Sequence, residues 1–379
     1  MNNWKKCKLG DIIDVKHGYA FKGHGITSKD NNKILVTPGN FNIGGGFKMD
    51  KCKYFEGDFP ENYILKHNDI VLTMTDLSVD SDTLGYSAKI PNIKNKIFLH
   101  NQRIGLVIFN DNCVDKDFIY WLTRSPEYHN YIVCSSTGTS IRHTSPRLIK
   151  EFVFELPPLE EQRRIAAILS NIDDKIELLH EQNKTLEELA QTLFRHYFIE
   201  NPNPSWQNVK IKELASITSG KSLKRLDMQD DGENPILGAN GIIGFTNKYL
   251  YNEPLLYTGR VGTLGKVFMI NSAKKVWLSD NTLIIKPSSN FYFMYFVLKT
   301  SSLENLDVGS TQPLIRQSDL GEIEILLADD LLLEKFDITA KKIFDKIDKN
   351  LEQIQTLENM RDILIPKLLN GEIKVGSNQ

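Results

Sequence analysis

The chain has 379 residues, 41% hydrophobic and 25% charged, with a formal net charge of −2, which suits a globular protein large enough for two cores. It contains no apolar run of about 18 residues, so no membrane span is expected, and its polar start, MNNWKKCKLGDII, does not read as a secretory signal, so a cytoplasmic protein is expected. Cys7, Cys52, Cys113 and Cys134 show no CxxC spacing and are expected to be reduced thiols, neither a zinc site nor a disulfide frame.

In chain order, residues 1–158 are predicted to form a first mixed α/β domain. β-like runs such as Asp69–Met74, Ile97–Leu99 and Ile104–Phe109 alternate with Gly/Asn turn signals such as Asn42–Gly46. Residues 159–200 are predicted helical, until Asn201-Pro-Asn-Pro204 breaks the helix. Residues 201–328 form a second mixed domain. Residues 329–379 carry a second long helix with Gly371 as its stop.

The two halves repeat. Gly138 to Phe198 returns without a gap 171 positions later as Gly309 to Leu369. Glu151 meets Glu322, Leu156 meets Leu327, Asp174-Lys175-Ile176 meets Asp345-Lys346-Ile347, and Leu193 meets Leu364. The mixed domains share weaker anchors. Trp4 and Gly18 parallel Trp206 and Gly220, while Leu84-Gly85 and Asn101 match Leu264-Gly265 and Asn281 at an offset of 180. Two copies of one folded unit imply a pseudo-twofold internal repeat rather than a solenoid.

The helices follow a heptad rhythm. One seam runs Ile165, Leu169, Ile172, Ile176, Leu179, Asn183, Leu186, Ala190, Leu193, Tyr197. The other runs Phe336, Ala340, Ile343, Ile347, Asn350, Ile354, Leu357, Arg361, Leu364, Leu368. Alternating three-four spacing is a coiled-coil seam; the alternative is two separate amphipathic helices. Antiparallel pairing would set Asn183 against Asn350, a polar pair that fixes register because any slip leaves an amide unpaired. Helices of this length would reach roughly 55 Å. The expected fold class is therefore α+β: two mixed α/β domains separated by an antiparallel two-helix coiled coil.

Charge divides along the same lines. The mixed regions carry 20 Lys/Arg against 17 Asp/Glu and 13 against 12, whereas the helical regions carry 5 against 9 and 8 against 10. The acid lies in the helices, which permits nucleic-acid binding by the mixed domains without establishing it.

No catalytic or metal constellation is found. The stretch Thr258-Gly-Arg-Val-Gly-Thr-Leu-Gly-Lys-Val267 fails the phosphate-loop pattern GxxxxGK[ST] at Arg260 and at Val267. The eight histidines are scattered, none paired at helical spacing with a carboxylate. What remains are small polar and basic residues in loops. Arg260 could reach a guanine edge bidentately, or cap a turn or pair with Asp280. Ser136, Thr139 and Arg142, with Thr311, Gln312 and Arg316, sit in small-polar loops leading into the repeat and suit phosphate contact, or are simple connections. Thr258 stands at the head of the Arg260 loop. Asn240 could read adenine or occupy a left-handed turn. Lys22 and Lys221 follow matched glycines and could meet phosphate or only water.

Together these features resemble the specificity subunit of type I restriction–modification systems. The carriers are Leu156-Pro-Pro-Leu-Glu-Glu-Gln162 ahead of a long helix and Gly309-Ser-Thr-Gln312 ahead of the second copy. Asn240-Gly-Ile-Ile-Gly244, Gly259-Arg-Val-Gly-Thr-Leu-Gly265, Ser279-Asp-Asn-Thr282, Thr73-Met-Thr-Asp76 and His100-Asn-Gln-Arg103 support them. The resemblance spans essentially the whole chain. It implies two target-recognition domains, each reading half of a bipartite double-stranded DNA site, and a coiled coil that sets the spacer. It also implies docking of two methyltransferase subunits, with motor-nuclease subunits in the full complex and no membrane partner. Leu159, Glu160, Glu161 and Gln162 would serve partner docking. The chain would be non-catalytic and bind no cofactor, with S-adenosylmethionine, ATP and Mg held by partner subunits. One departure stands out: the second copy reads Ala328-Asp-Asp-Leu-Leu-Leu-Glu334 where the first has Pro157-Pro-Leu-Glu-Glu-Gln162. Two other readings stay open, a cytosolic coiled-coil scaffold with protein-binding end domains, and a nucleotide-gripping enzyme at Arg260.

Overall fold

The computed structural model describes residues 3–50, 52–76, 78, 82–110, 114–138, 141–309 and 312–375. It divides into two compact units, Met1–Glu177 with Gln355–Gln379, and Leu178–Ile354. The division cuts both long helices, so each unit owns one mixed region and one stretch of each helix. No described helix is long and apolar enough to cross a membrane.

In the first unit, strand Lys5–Lys8 pairs antiparallel with Val153–Leu156, joining the two ends of the mixed region. The one-turn helix Leu9–Ile12 then leads into a four-stranded sheet ordered Ile13–His17, Ile104–Phe109, Ile70–Thr73, Ser87–Lys89. Strand Ile70–Thr73 is buried throughout because both faces are covered. Ile70 and Leu72 join one apolar core and Val71 another, which explains a continuous apolar run instead of an alternating one. A five-stranded sheet beside it is centred on the parallel pair Lys33–Val36 and Ile97–His100. Helices Lys116–Leu122, Pro126–Ser135 and Pro146–Lys150 follow, each with a side-chain cap at its start: Asp115, Ser125 and Ser145.

The second unit repeats this plan. Gln207–Lys210 pairs with Glu324–Leu327. The helix Ile211–Leu214 leads into a sheet ordered Ala215–Ser219, Thr282–Pro287, Leu255–Gly259, Val267–Ile270. A second sheet is centred on the parallel pair Asn234–Gly238 and Lys275–Leu278. Here Leu256 faces one core while Leu255 and Tyr257 face another. The repeat is thus one of whole folded units.

Backbone contacts correct one alignment. A Cβ on Gly18 would lie 2.1 Å from the Asn101 carbonyl oxygen, and one on Gly220 would lie 2.0 Å from that of Ser279. The Met74 N–H bonds to the Arg103 carbonyl as the Arg260 N–H bonds to that of Asn281. Asn101 therefore corresponds to Ser279 and Arg103 to Asn281, two residues away from the match expected of the paired asparagines. The Leu84-Gly85 anchor differs: Gly85 and Gly265 adopt the same left-handed backbone, φ 82° and 83°.

The long helices span Leu159–Phe194 and Asp330–Leu369. A π turn, Arg195–Ile199, ends the first. Gly371, at φ 76°, follows the second and donates its N–H to the Leu368 carbonyl. Every residue of the two predicted seams is buried or half-buried. Within the first unit, Ile165 and Leu169 share a core with Ile365 and Leu368. Within the second, Ala190 and Phe194 share one with Phe336 and Ala340. Early turns of one helix meet late turns of the other, so each pairing is antiparallel. In the second unit the Asn350 amide donates to Asn183 Oδ1 at 2.7 Å and to Gln182 Oε1 at 2.8 Å.

Candidate nucleic-acid interface

Main-chain bonds gather the candidate residues of the second unit at one end of its sheets. Arg260 donates its N–H to the Asn281 carbonyl and accepts from the Ile315 N–H, while the Gly262 N–H reaches the Pro313 carbonyl. Lys221 is fixed at both backbone atoms: its N–H bonds to Leu278, and its carbonyl accepts from Trp277 Nε1. A hairpin, Asn234–Gly238 with Gly241–Thr246, brings its tip against this loop. A Cβ on Gly259 would meet the Ala239 Cβ at 2.9 Å, and Lys266 Nζ donates to Asn240 Oδ1 at 2.6 Å. Lys221, Asn240, Lys266, Gln312 and Arg316 are exposed there.

Two expectations change on inspection. Thr258 is wholly buried, its hydroxyl given to the Lys266 carbonyl at 2.8 Å, so it holds the strand and touches no ligand. Asn240 is not the left-handed residue of its turn; that is Gly241, at φ 111°, and the Asn240 side chain is tethered to Lys266 instead. Arg260 is half-buried, and its Nε has no partner among the described residues. Asp280 bonds to the Ser222 hydroxyl at 2.6 Å. Thr311 and Thr139 lie outside the described residues.

The first unit builds its matching end with different side chains. Met74 stands where the second unit has Arg260 and is buried. Its carbonyl accepts from the Thr144 N–H, as Arg260's does from Ile315. Arg142 and His143 pair with Asp76 and Thr75. Ser136 and Arg142 come together, with Nη1 to Oγ at 3.4 Å and to the Val133 carbonyl at 3.3 Å, so Arg142 is turned inward on its own loop. Burial tends to raise the Asp76 pKa, but hydrogen bonds from Ser78 and Thr83 outweigh it and hold the group ionised below the usual range. Lys22 is exposed, before the turn Gly23–Gly25. Lys266 escaped the sequence reading because it was weighed only as part of a failed phosphate loop.

The phrase ahead of the first long helix serves the fold. Gln162, 1% exposed, accepts from the Asp115 N–H at 2.9 Å and donates to the Pro157 carbonyl at 2.8 Å. Glu161 accepts from Trp4 Nε1 at 3.0 Å. Glu160 is exposed and pairs with Arg163, and Leu159 is half-buried. Gln162 is thus committed to internal hydrogen bonding and closed to a docking partner, whereas Glu160 is exposed and Glu161 and Leu159 are half-buried. In the second copy Leu332 and Leu333 take these places, and Trp206 Nε1 is left buried without a partner among the described residues. Asp329 starts the second helix by accepting from the Leu332 N–H.

Among the described residues, no three His, Cys, Asp or Glu side chains are grouped to hold a metal. Both units present polar loops at the same end of the same scaffold, with unlike side chains on them.

Comparison with known proteins gives the arrangement its context. The family model described as the type I restriction modification DNA specificity domain matches twice, over residues 1–188 and 203–359. The chain is similar to the type I restriction enzyme MjaIX specificity subunit of Methanocaldococcus jannaschii, 26% identical over 316 residues and covering 73% of each chain. It is also similar to the HindI specificity subunit of Haemophilus influenzae, 22% identical, covering 98% of this chain and 100% of that one. A crystal structure of a type I restriction–modification S subunit from M. genitalium shares the fold, with a TM-score of 0.63 at 20% identity, over 97% of this chain and 96% of that one. These matches favour DNA specificity over the scaffold reading: the chain belongs to the type I restriction modification DNA specificity family.

Proposed function

We propose that each unit reads one half of a bipartite duplex DNA sequence and that the paired long helices set the unread spacer between the halves. The observation that carries this reading is the repeat of an entire folded unit with matching strand order and dissimilar loops. A shared frame with different tips is what two readers of two short words require. Two methyltransferase subunits would dock on the acid-rich long helices, and motor-nuclease subunits would complete the complex. Partners would hold S-adenosylmethionine, ATP and Mg. This chain would supply recognition alone, in the cytoplasm.

The mixed domains carry only a small excess of Lys and Arg over Asp and Glu, so partners would contribute much of the phosphate contact. The isolated chain is expected to bind DNA weakly and with steep salt dependence, gaining specificity with its methyltransferase. The test is to exchange residues 1–150 for those of a relative and map methylated sites in a host. One half of the site should change and the other persist; a change in both would end the modular reading.

A further inference from the structure

The hairpin beside the Arg260 loop carries apolar side chains into water. Ile242 is 61% exposed, Ile243 53% and Phe245 39%, with Leu226 and Met228 exposed alongside. A bulge produces this. Ile236 pairs with Gly244 but Leu237 pairs with Ile242, so Ile243 is the extra residue and two consecutive isoleucines face outward. Gly244 leaves room for Met228, whose Cε would lie 3.2 Å from a Cβ there, and the Gln229 N–H bonds to the Phe245 carbonyl.

The first unit treats the same place differently. Its equivalent strands, Lys33–Val36 and Lys53–Phe55, are linked through residues 37–52, and that excursion folds Phe41 and Phe47 onto the core. The second unit's link is short and leaves its isoleucines bare. Lys221 and Lys266 stand exposed near the hairpin tip, with Lys224 and Arg225 exposed in the adjoining segment, whereas Asp230, Asp231 and Glu233 are exposed at its base; Lys266 is tied to the tip through Asn240. Apolar side chains flanked by cations at the hairpin tip fit the floor of a nucleic-acid groove entered tip first, where phosphates meet the cations and the thymine 5-methyl is the apolar feature of a base edge.

Resting on the DNA reading above, we propose that Ile242 and Ile243 are specificity-determining residues that contact thymine methyl groups in the half-site read by the second unit. The experiment uses the complex of this chain with its methyltransferase, on a duplex of mapped target sequence. Thymines are replaced singly by deoxyuridine, which keeps the base pair and removes only the methyl. Binding should weaken about fourfold at one or two positions of one half-site, the effect of unburying one methyl group. The Ile242→Ser/Ile243→Ser double variant should lose that sensitivity while still discriminating the other half-site. Its melting temperature should fall by only a few degrees, since Ile242 and Ile243 are each more than half exposed.

Sequence-specific binding that ignores every uracil replacement, or a half-site without an A·T pair, would overturn the proposal and leave DNA recognition standing. Loss of methyltransferase co-purification in the double variant, with uracil sensitivity retained, would mark the patch as a protein-docking surface instead. Absence of any sequence-specific binding by the unmodified complex would remove both readings.

Discussion

His100 shows how burial sets a charge state. Its ring is 1% exposed, Nε2 meets the Ile104 carbonyl at 2.8 Å, and Nδ1 has no partner among the described residues. A proton on Nδ1 would sit unpaired in an apolar interior. Burial therefore lowers its pKa from the usual 6.5 to about 4, and nearby Lys16 and His17 add to the effect. As pH falls below about 6.5, the unfolded chain takes up a proton that the folded chain refuses. The stabilisation is complete above that pH and drains as pH approaches 4, by roughly 3 kcal/mol in all. Urea denaturation between pH 7.5 and 4.5 should show this loss, with a shallower dependence in His100→Gln; parallel curves would contradict it. The residue scale is also where sequence says least about function. Thr258 and Asn240 look equally available in small-polar stretches, yet one is sealed under the Lys266 carbonyl and the other exposed. Only strand pairing across distant residues decides between them.

The long helices were the most readable elements, because three-four apolar spacing is a local property that packing preserves. Asn350 and Asn183 sit within 2.7 Å on that rhythm. The attachment of the first mixed region to the helices was not readable, since it joins residues far apart in sequence. Arg124, its side chain 3% exposed, bonds Asp173 at 2.7 Å, the Tyr120 hydroxyl at 2.7 Å and the Gly44 carbonyl at 2.9 Å, and lies 4.3 Å over the Trp121 ring. Asp173 also accepts from Arg361 at 2.9 Å, so one carboxylate ties the helix Lys116–Leu122 and the Asn42–Gly46 turn to both long helices. At the matching place in the second unit, Phe344 follows Asp173 by 171 positions and packs on Tyr292 and Phe296. Asp173→Ala should therefore cost about 3–5 kcal/mol, because it strands a buried guanidinium. Asp362→Ala, which removes only Arg361's exposed partner, should cost under about 1 kcal/mol. Equal losses in chemical denaturation would show that the Arg124 network is not the anchor.

At the scale of the molecule, the 171-residue repeat pointed to two halves, and the fold extends the likeness to matched sheets and parallel strand pairs. Divergent loops hid that extension, as the slip between Asn101 and Ser279 illustrates. Nor could an unbroken heptad rhythm disclose that the compact units divide within the helices, because rhythm is continuous where core membership is not. That division has a consequence for folding. The first unit's core contains Leu9, Trp121 and Phe152 with Ile165, Leu169, Ile365 and Leu368, and the second has Phe194, Phe296, Phe336 and Ala340. Each is a contiguous apolar core with its own helix pair, the usual condition for independent folding. Joining Glu177 to Gln355 through a turn of about four Gly/Asn residues, a length natural to antiparallel helices, should yield a monomer built from the first unit alone. The fragment Leu178–Ile354 should supply the second. Both should melt cooperatively, with far-UV and near-UV dichroism changing together. Retained helix with lost near-UV signal in either fragment would mean that the paired helices need their full length to order the sheets beside them.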